Sequence, residues 1–591
     1  MAEFKPMVIT KKGQSLIAKM LAGSGSIEFV KISVSSDTYS DEELLALTEL
    51  ESKQTTLISK VTKTSKSAVQ VEGSITNAEL ENGYYMNTIA LYANDPDEGE
   101  IIYAACGASV PGWMPPYNGV STSGAFFKLI TTVSNAENVV IEVDPAAVAT
   151  VGDIKDLQSQ ISDLQGFVGY NDKDIYGVEV DFKNKKITRL AGAVGKTPGE
   201  SFDSVKAFGG RRRCMLGDDT EVITYYGDEN YFETGIFTQY QTQINDKTFY
   251  EGETFQVMVE QPRFYYKVVP LELEKVDGKD YYHMRKVRYY ISDTKKEGFK
   301  LHPAFIRNGQ EYDFIYMAAY EGCFYNGSEG KYILDNSQNF SDSTFTNNHY
   351  LSSIAGAKPA TGGTRPKFRS PAESRGDLDR WSLMTIQSAS VTELLFLIEY
   401  ASFDMQSNIG IGVTNKDATS SSELTGATSI LGNKTGSVTN ENGFNVISYR
   451  GEENFFGNVG TWIDGINIYN YTQGKVYIAD TSFADDTSSS SYKDTGISIL
   501  GEDGYISAFA YPENENFDWL FIPSETLGNS SLPVGDKFKQ TKKSSNFSVV
   551  NLGGSWKDGS DAGGFYFDAY YNKASASNSV GSRLLCIPYR N

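Results

Sequence analysis

From Asn551 to Arg583 the chain reads NLGGSWKDGSDAGGFYFDAYYNKASASNSVGSR, a glycine-punctuated frame dense in Trp556, Phe565, Tyr566, Phe567, Tyr570 and Tyr571. Asp, Ser and Asn fill most of the other places. These residue types hold ligands: rigid aromatics give contact area at low entropic cost, and short polar groups adapt their hydrogen bonds. The run has no Glu or His and so presents no evident acid–base pair. The same composition also fits a closing β-meander with its aromatics turned to the core and its Asp and Asn in turns.

Other chemistry is less well supported by spacing. Glu393, Glu399, Glu452, Glu453 and Asp464 are carboxylates of the kind that hydrolyse glycans in pairs, yet no motif ties two of them together. Glu452-Glu453 is an alternative cation-holding pair, without the spacing of an EF-hand. His283, His302 and His349 form no HxxxH or HExxH pattern. Cys106, Cys214, Cys323 and Cys586 lie far apart with no CxxC and read as small buried side chains. No metal and no cofactor are expected.

The bulk numbers narrow the class. A chain of 591 residues exceeds one core and suggests roughly three to five domains. Aromatics at 13%, with 37 Tyr, point to β structure and long loops. A net charge of −22 argues against binding a phosphate backbone, so no nucleic-acid partner is expected. The one basic cluster, Arg211-Arg212-Arg213, reads as a solvated turn or as pairing with Asp218 and Asp219. The opening MAEFKPMVITKKGQSL has no apolar core of a signal peptide, and no stretch approaches eighteen apolar residues. Synthesis in a cytoplasm without membrane insertion is the expectation.

The elements that would position these residues follow from periodicity. Thr10 caps a short helix with an apolar face of Leu16, Ile17, Met20 and Leu21, stopped by Gly23. Strands are predicted over Ile27–Val34, Thr56–Val61, Ala68–Val71, Tyr84–Tyr92, Ile101–Ala105, Phe126–Val133 and Val139–Val143. Between them Pro111–Tyr117 reads as a stiff aromatic loop, either a contact or a packed surface loop. Ile154, Leu157, Ile161, Leu164 and Val168 then alternate spacings of three and four, an a/d seam of about two heptads. The seam is short, so flanking domains would have to associate as well. Ile at a with Leu at d leans toward dimers.

Farther on, Tyr176–Phe182 and Lys186–Leu190 flank an Asn-Lys turn, followed by strands over Glu221–Tyr226, Phe255–Val259, Arg263–Val269, Asp280–Met284 and Arg288–Ile291. Beyond His302 the pattern is loop-rich, with one helix over Ser390–Asp404 opened by a Ser390/Glu393 capping box and a second near Leu378–Ser388.

Two resemblances add to this reading. MAEFKPMVITKKGQSLIAKML, IEFVKISVS, KQTTLISKV, GYYMNTIALYANDPDEGEIIYA and MPPYNGVS, spread over the first 145 residues, resemble the N-terminal attachment domain of tail fibres from phages and phage-like bacteriocins of Gram-positive bacteria. That resemblance implies anchoring to a tail baseplate and trimeric association. Ser448–Gly451, Asn458–Asn467, Asp518–Leu520 and Gly553–Trp556 are similar to the C-type-lectin-like fold shared by formylglycine-generating enzymes and the variable proteins of diversity-generating retroelements. The run ending Val580-Gly581-Ser582-Arg583 resembles the diversified segment of tail-fibre receptor-binding proteins. Such systems replace template adenines, so an Asn codon can yield Asp, Tyr, Ser, Asn, Phe or Ala, but never Lys, Glu, Gln, Met or Trp. Asp558, Ser560, Asp561, Phe565, Asp568, Tyr570, Tyr571, Ser575 and Ser577 comply, and Lys557 and Lys573 do not.

The expected protein is therefore multidomain α+β, mostly β. It has an α/β attachment domain at 1–148, a coiled coil at 149–170, a β-rich spacer at 171–300 and a C-type-lectin-like receptor-binding domain at 301–591 with a variable segment about 545–585. Lys557, Asp558, Ser560, Asp561, Phe565, Tyr566, Asp568, Tyr570, Tyr571 and Asn578 are the expected contacts to a bacterial cell-surface protein or glycan. It would be a homotrimer in a virion tail fibre, assembled in the host cytoplasm and acting outside after lysis, and it would not be an enzyme. The alternatives are a tail-borne enzyme acting on surface glycan and an oxidase like the formylglycine-generating enzymes. The oxidase needs a cysteine pair, and Cys586 has no partner near it in sequence.

Overall fold

A computed structural model describes the chain apart from residues 1–2, 23–26, 66, 118–122, 134–173, 245, 336–347, 377–379, 471–473, 541–545 and 589–591. The chain is β-rich and divides into two compact units, Met1–Leu164 and Gln165–Asn591. Gly23, the run Val139–Val143 and the seam of Ile154, Leu157, Ile161, Leu164 and Val168 lie outside the described residues.

In the first unit, Thr10 accepts from the Gly13 amide at 3.0 Å and opens the helix Lys11–Ala22. A Cβ on Gly13 would lie 2.1 Å from the Tyr103 carbonyl oxygen, so glycine is what lets this helix press against the strand Gly99–Met114. Leu16 and Met20 are buried as expected, but Leu21 is 71% exposed because it falls off that face. One sheet runs Glu3–Phe4, Gly99–Met114, Tyr84–Asp95, Glu28–Ser35, Gln54–Leu57, and a second runs Lys60–Ser65, Ala68–Thr76, Gly124–Thr132. The single strand expected over Thr56–Val61 is two, because the chain passes from one sheet to the other at buried Ile58. Pro111–Tyr117 is not a loop for most of its length: the strand continues to Met114, pairing Trp113 with Tyr85.

The second unit begins with the expected hairpin, Tyr176–Asp181 against Lys186–Ala191, with Lys185 at φ +53° in the turn. Its neighbour Tyr281–Ser292 is one strand where two were expected, and it pairs on with Tyr265–Lys275 and Ala508–Pro512. A spacer ending near residue 300 is therefore incorrect. Backbone hydrogen bonds join strands from before residue 300 to a strand after 500, and Val178, Phe182 and Tyr289 share one core with Phe509, Phe521 and Phe565.

At the centre of that core lies the helix Ile386–Tyr400, buried along nearly its whole length. It starts four residues before the predicted Ser390 cap. Thr385 and Ser388 form the capping box, with Ser388 N donating to Thr385 Oγ1 at 3.2 Å and Thr385 N donating to Ser388 Oγ at 2.9 Å. Ser390 instead donates back to the Gln387 carbonyl at 2.8 Å. No helix occupies Trp381–Leu383, which is a strand paired with Leu584–Cys586. An unforeseen helix precedes it at Arg365–Glu373.

Arg211 and Arg213 are buried, not in a solvated turn, and they do not reach Asp218 or Asp219. Arg211 Nη2 meets Glu452 at 2.9 Å, and Arg213 Nη1 meets Glu233 at 2.9 Å. Arg212 alone faces outward, paired with Glu260 at 3.0 Å.

Candidate functional site

An eight-stranded sheet orders the strands Lys493–Ser498, Lys475–Ile478, Gly460–Tyr469, Phe547–Leu552, Phe567–Tyr571, Lys537–Lys539 and Gly504–Tyr505, with Val580–Gly581 alongside Gly460–Tyr469. The chain leaves Phe547–Leu552 through Gly553 and Gly554, at φ +89° and +70°, where Cβ atoms would strike Phe455 O at 2.9 Å and the Ala562 Cβ at 2.8 Å. Asp558 ties the turn down, accepting from the Ser555 hydroxyl at 2.6 Å and the Ser555 amide at 2.8 Å.

The return strand does not alternate regularly. Val549 opposes Tyr571 and Asn551 opposes Asp568, so the strand Phe567–Tyr571 carries one extra residue, a bulge. This break in the period of two brings both Tyr570 and Tyr571 to one small cleft of about 220 Å³. Tyr570 is 57% exposed, and its ring stands against Tyr571 at 5.3 Å, which in turn stands edge-on to Trp462 at 5.3 Å.

Of the ten predicted contacts, Lys557, Asp558, Tyr566, Asp568, Tyr570 and Tyr571 line this cleft. Phe565 is a correction: it is buried, with its ring 5.0 Å from Phe403, 5.3 Å from Phe521 and 5.9 Å from Phe509. It sits in the turn before Phe567–Tyr571 and is drawn into the aromatic core, so a codon that permits variation does not make its side chain a contact. Asp561 also lies off the cleft, accepting from Tyr505 Oη at 2.7 Å and pairing with Lys537 at 3.0 Å. Ser560 lines a separate hollow with Asp404 and Gln406. Asn578 is exposed and does not line the cleft.

Sequence reasoning missed Lys539, Asn551, Ser555 and Ser579, all of which line the cleft. A signal existed for Asn551: a lone amide ending the apolar run Val549-Val550, next to the Gly-Gly turn. Lys539 comes from a strand outside the glycine-rich run, and nothing local marks it.

The electrostatics are paired and compact. Lys539 meets Asp558 at 2.9 Å. Burial opposes the charge on each, but Asp558 raises the lysine's pKa, while the Ser555 hydroxyl and Lys539 hold the Asp558 carboxyl below its ordinary range. Asp568 is pushed up to about 6 by burial, against the Tyr570 amide that donates to it at 2.8 Å and against Lys539. Tyr566 Oη donates to Asp568 at 3.3 Å, and burial with that carboxylate keeps the phenol protonated.

None of the carboxylates considered for hydrolysis lines the cleft. Glu399 is clasped by Arg450 through two bonds of 2.7 Å, and Glu453 accepts from the Gly426 and Thr428 amides at 2.7 Å. Glu452 faces Arg211, and Asp464 faces Arg369 at 2.5 Å. Glu393 is buried inside the central helix, its carboxyl pushed up by burial and by Asp536. Glu452-Glu453 is thus a short buried strand whose carboxylates serve arginine and backbone donors. All four cysteines are free and buried, and burial raises each thiol, Cys106 and Cys323 to about 12. Among the described residues no helix is long and apolar enough to cross a membrane.

The sequence matches no protein-family model and no curated protein. Among solved structures the chain is distantly similar to one titled Major Tropism Determinant U1 Variant, at 10% identity and a TM-score of 0.22, over 64% of this chain and 72% of that one.

Proposed function

We propose that this chain is a receptor-binding tail fibre of a phage or phage-like particle, which holds a bacterial surface molecule at the cleft beside Tyr570. The observation that carries the reading is Tyr570 itself, a large aromatic left 57% exposed at the mouth of a polar cleft in a unit that buries most of its rings. Such a residue at a recess is the anchor type that dominates binding energy. In this reading residues 1–148 dock on the particle, the segment 149–170 bundles three chains, and the tip holds its target without transforming it. Its C-terminal part belongs to the C-type-lectin-like class, and the particle carries it outside the cell after lysis. Several weak tips on one particle then add up by avidity.

Adsorption of the full chain to a panel of Gram-positive cells tests this. Binding to some strain is expected, with Tyr570→Ala/Tyr571→Ala abolishing it while the circular-dichroism spectrum and oligomeric state stay unchanged. Undiminished adsorption by the double variant would remove the cleft from the reading.

A further inference from the structure

We propose that the cleft beside Tyr570 takes one neutral sugar ring of a cell-surface polysaccharide, with Asn551 donating to its hydroxyl oxygens, Asp568 accepting from them, and the Tyr570 ring lying against its C–H face. The inference rests on the reading above and narrows it.

Three observations support it. The first is an unfilled donor. Asn551 is 2% exposed and lines the cleft, and its Nδ2 makes no hydrogen bond of ordinary length within the chain. Across the strand pair it faces Asp568, whose ionised form it favours through one amide hydrogen, and an asparagine amide carries two. A buried donor left in this state calls for an acceptor from outside.

The second is the pairing of functions. A donor amide beside an acceptor carboxylate matches a hydroxyl, which both gives and accepts. A phosphate or carboxylate ligand would face Asp558 and Asp568, with half-buried Lys539 already paired at 2.9 Å and Lys557 the one exposed cation of the lining. An apolar side chain would strand the polar lining.

The third is shape. At about 220 Å³ the cleft is smaller than the ~300–1,000 Å³ of most small-molecule pockets, so it suits one ring rather than a chain. A peptide could not add as a strand there, since Phe567–Tyr571 is hydrogen-bonded on both sides, to Phe547–Leu552 and to Lys537–Lys539. The exposed Tyr570 face supplies the apolar platform that a sugar's C–H groups need.

The experiment uses the full chain and an adsorbing Gram-positive strain. Cells are treated with periodate, which cleaves vicinal diols, or shaved with protease, and wall polysaccharide extracted from the same strain is offered as a soluble competitor. Periodate is expected to abolish adsorption, protease to leave it, and the extract to compete. Asn551→Leu should weaken binding about tenfold, the scale of one lost hydrogen bond to a ligand. Tyr570→Ala, at an exposed ring, provides the same readout if the Asn551 variant misfolds. Adsorption lost to protease and untouched by periodate would overturn the sugar while leaving a receptor-binding fibre intact. Failure to adsorb to any strain would instead remove the receptor-binding reading and the sugar with it.

Discussion

At the residue scale, Asp568 sets a pH dependence. Its folded-state pKa of about 6 lies above the ordinary 3.8, so ionisation is disfavoured by folding, and its contribution to stability is greatest at low pH and declines as pH rises toward 6. Binding runs the other way, because protonation removes the charge and turns one of the two acceptor oxygens into a donor. Adsorption is predicted to fall as pH drops through about 6, with no loss of fold from this group, and Asp568→Asn should flatten the profile between pH 5 and 7.5. Phe565 and Tyr570 make a contrasting pair five residues apart. Phe565→Ala should cost ~3–5 kcal/mol in urea unfolding, as large-to-small core changes do. Tyr570→Ala should stay within about 0.5 kcal/mol, as exposed changes usually do. Equal costs would mean that the two rings share one environment, contrary to their burial.

At the element scale, the helix Arg365–Glu373 carries two buried arginines onto the strand Gly460–Tyr469. Arg369 reaches Asp464 at 2.5 Å and Asp485 at 2.6 Å, and Arg365 reaches Asp485 at 2.5 Å. These pairs fix the helix against the strand whose first residue, Gly460, lines the cleft. Arg369→Met leaves Asp464 and Asp485 with one cation between them, and a loss of about 3 kcal/mol is expected in chemical unfolding. A loss below about 1 kcal/mol would mean that Arg365 serves both carboxylates. This helix was not legible in the sequence because Pro366, Pro371 and three basic residues look like solvated loop. What makes it a helix is the acidic pair it meets roughly a hundred residues later. The central helix was legible as an apolar run, but its cap was misplaced: Ser390 and Glu393 have the right spacing, and only burial shows that both lie inside the helix.

At the scale of the whole molecule, the two compact units should behave as separate cooperative blocks. Met1–Leu164 and Gln165–Asn591, made as separate chains, are each expected to show one calorimetric transition at a temperature seen in the intact chain. Merging or loss of one transition would show that the units depend on each other. The second unit, in contrast, should not survive division near residue 300, since the strand Tyr281–Ser292 pairs with Ala508–Pro512. The fragment 301–591 alone would expose the apolar face of Phe509 and Phe521 and is expected to aggregate.

The sequence by itself determined what local rules govern. These include the Thr10-capped helix, most strands of the first unit, the hairpin around Asn184-Lys185, and the concentration of binding-type residues after Gly553. Each depends on neighbours within a few positions, where propensity, capping and turn chemistry act. The tertiary structure alone decided which aromatic rings look outward. Tyr570 emerges because a bulge breaks the alternation of Phe567–Tyr571, and Phe565, in the turn before that strand, is drawn in by distant Phe403, Phe509 and Phe521. It also decided that Arg211 and Arg213 are buried beside glutamates rather than solvated, and that Lys539 joins Asn551 and Asp568 at one cleft. Burial and pairing are properties of residues far apart in the chain, and no window of sequence contains both partners.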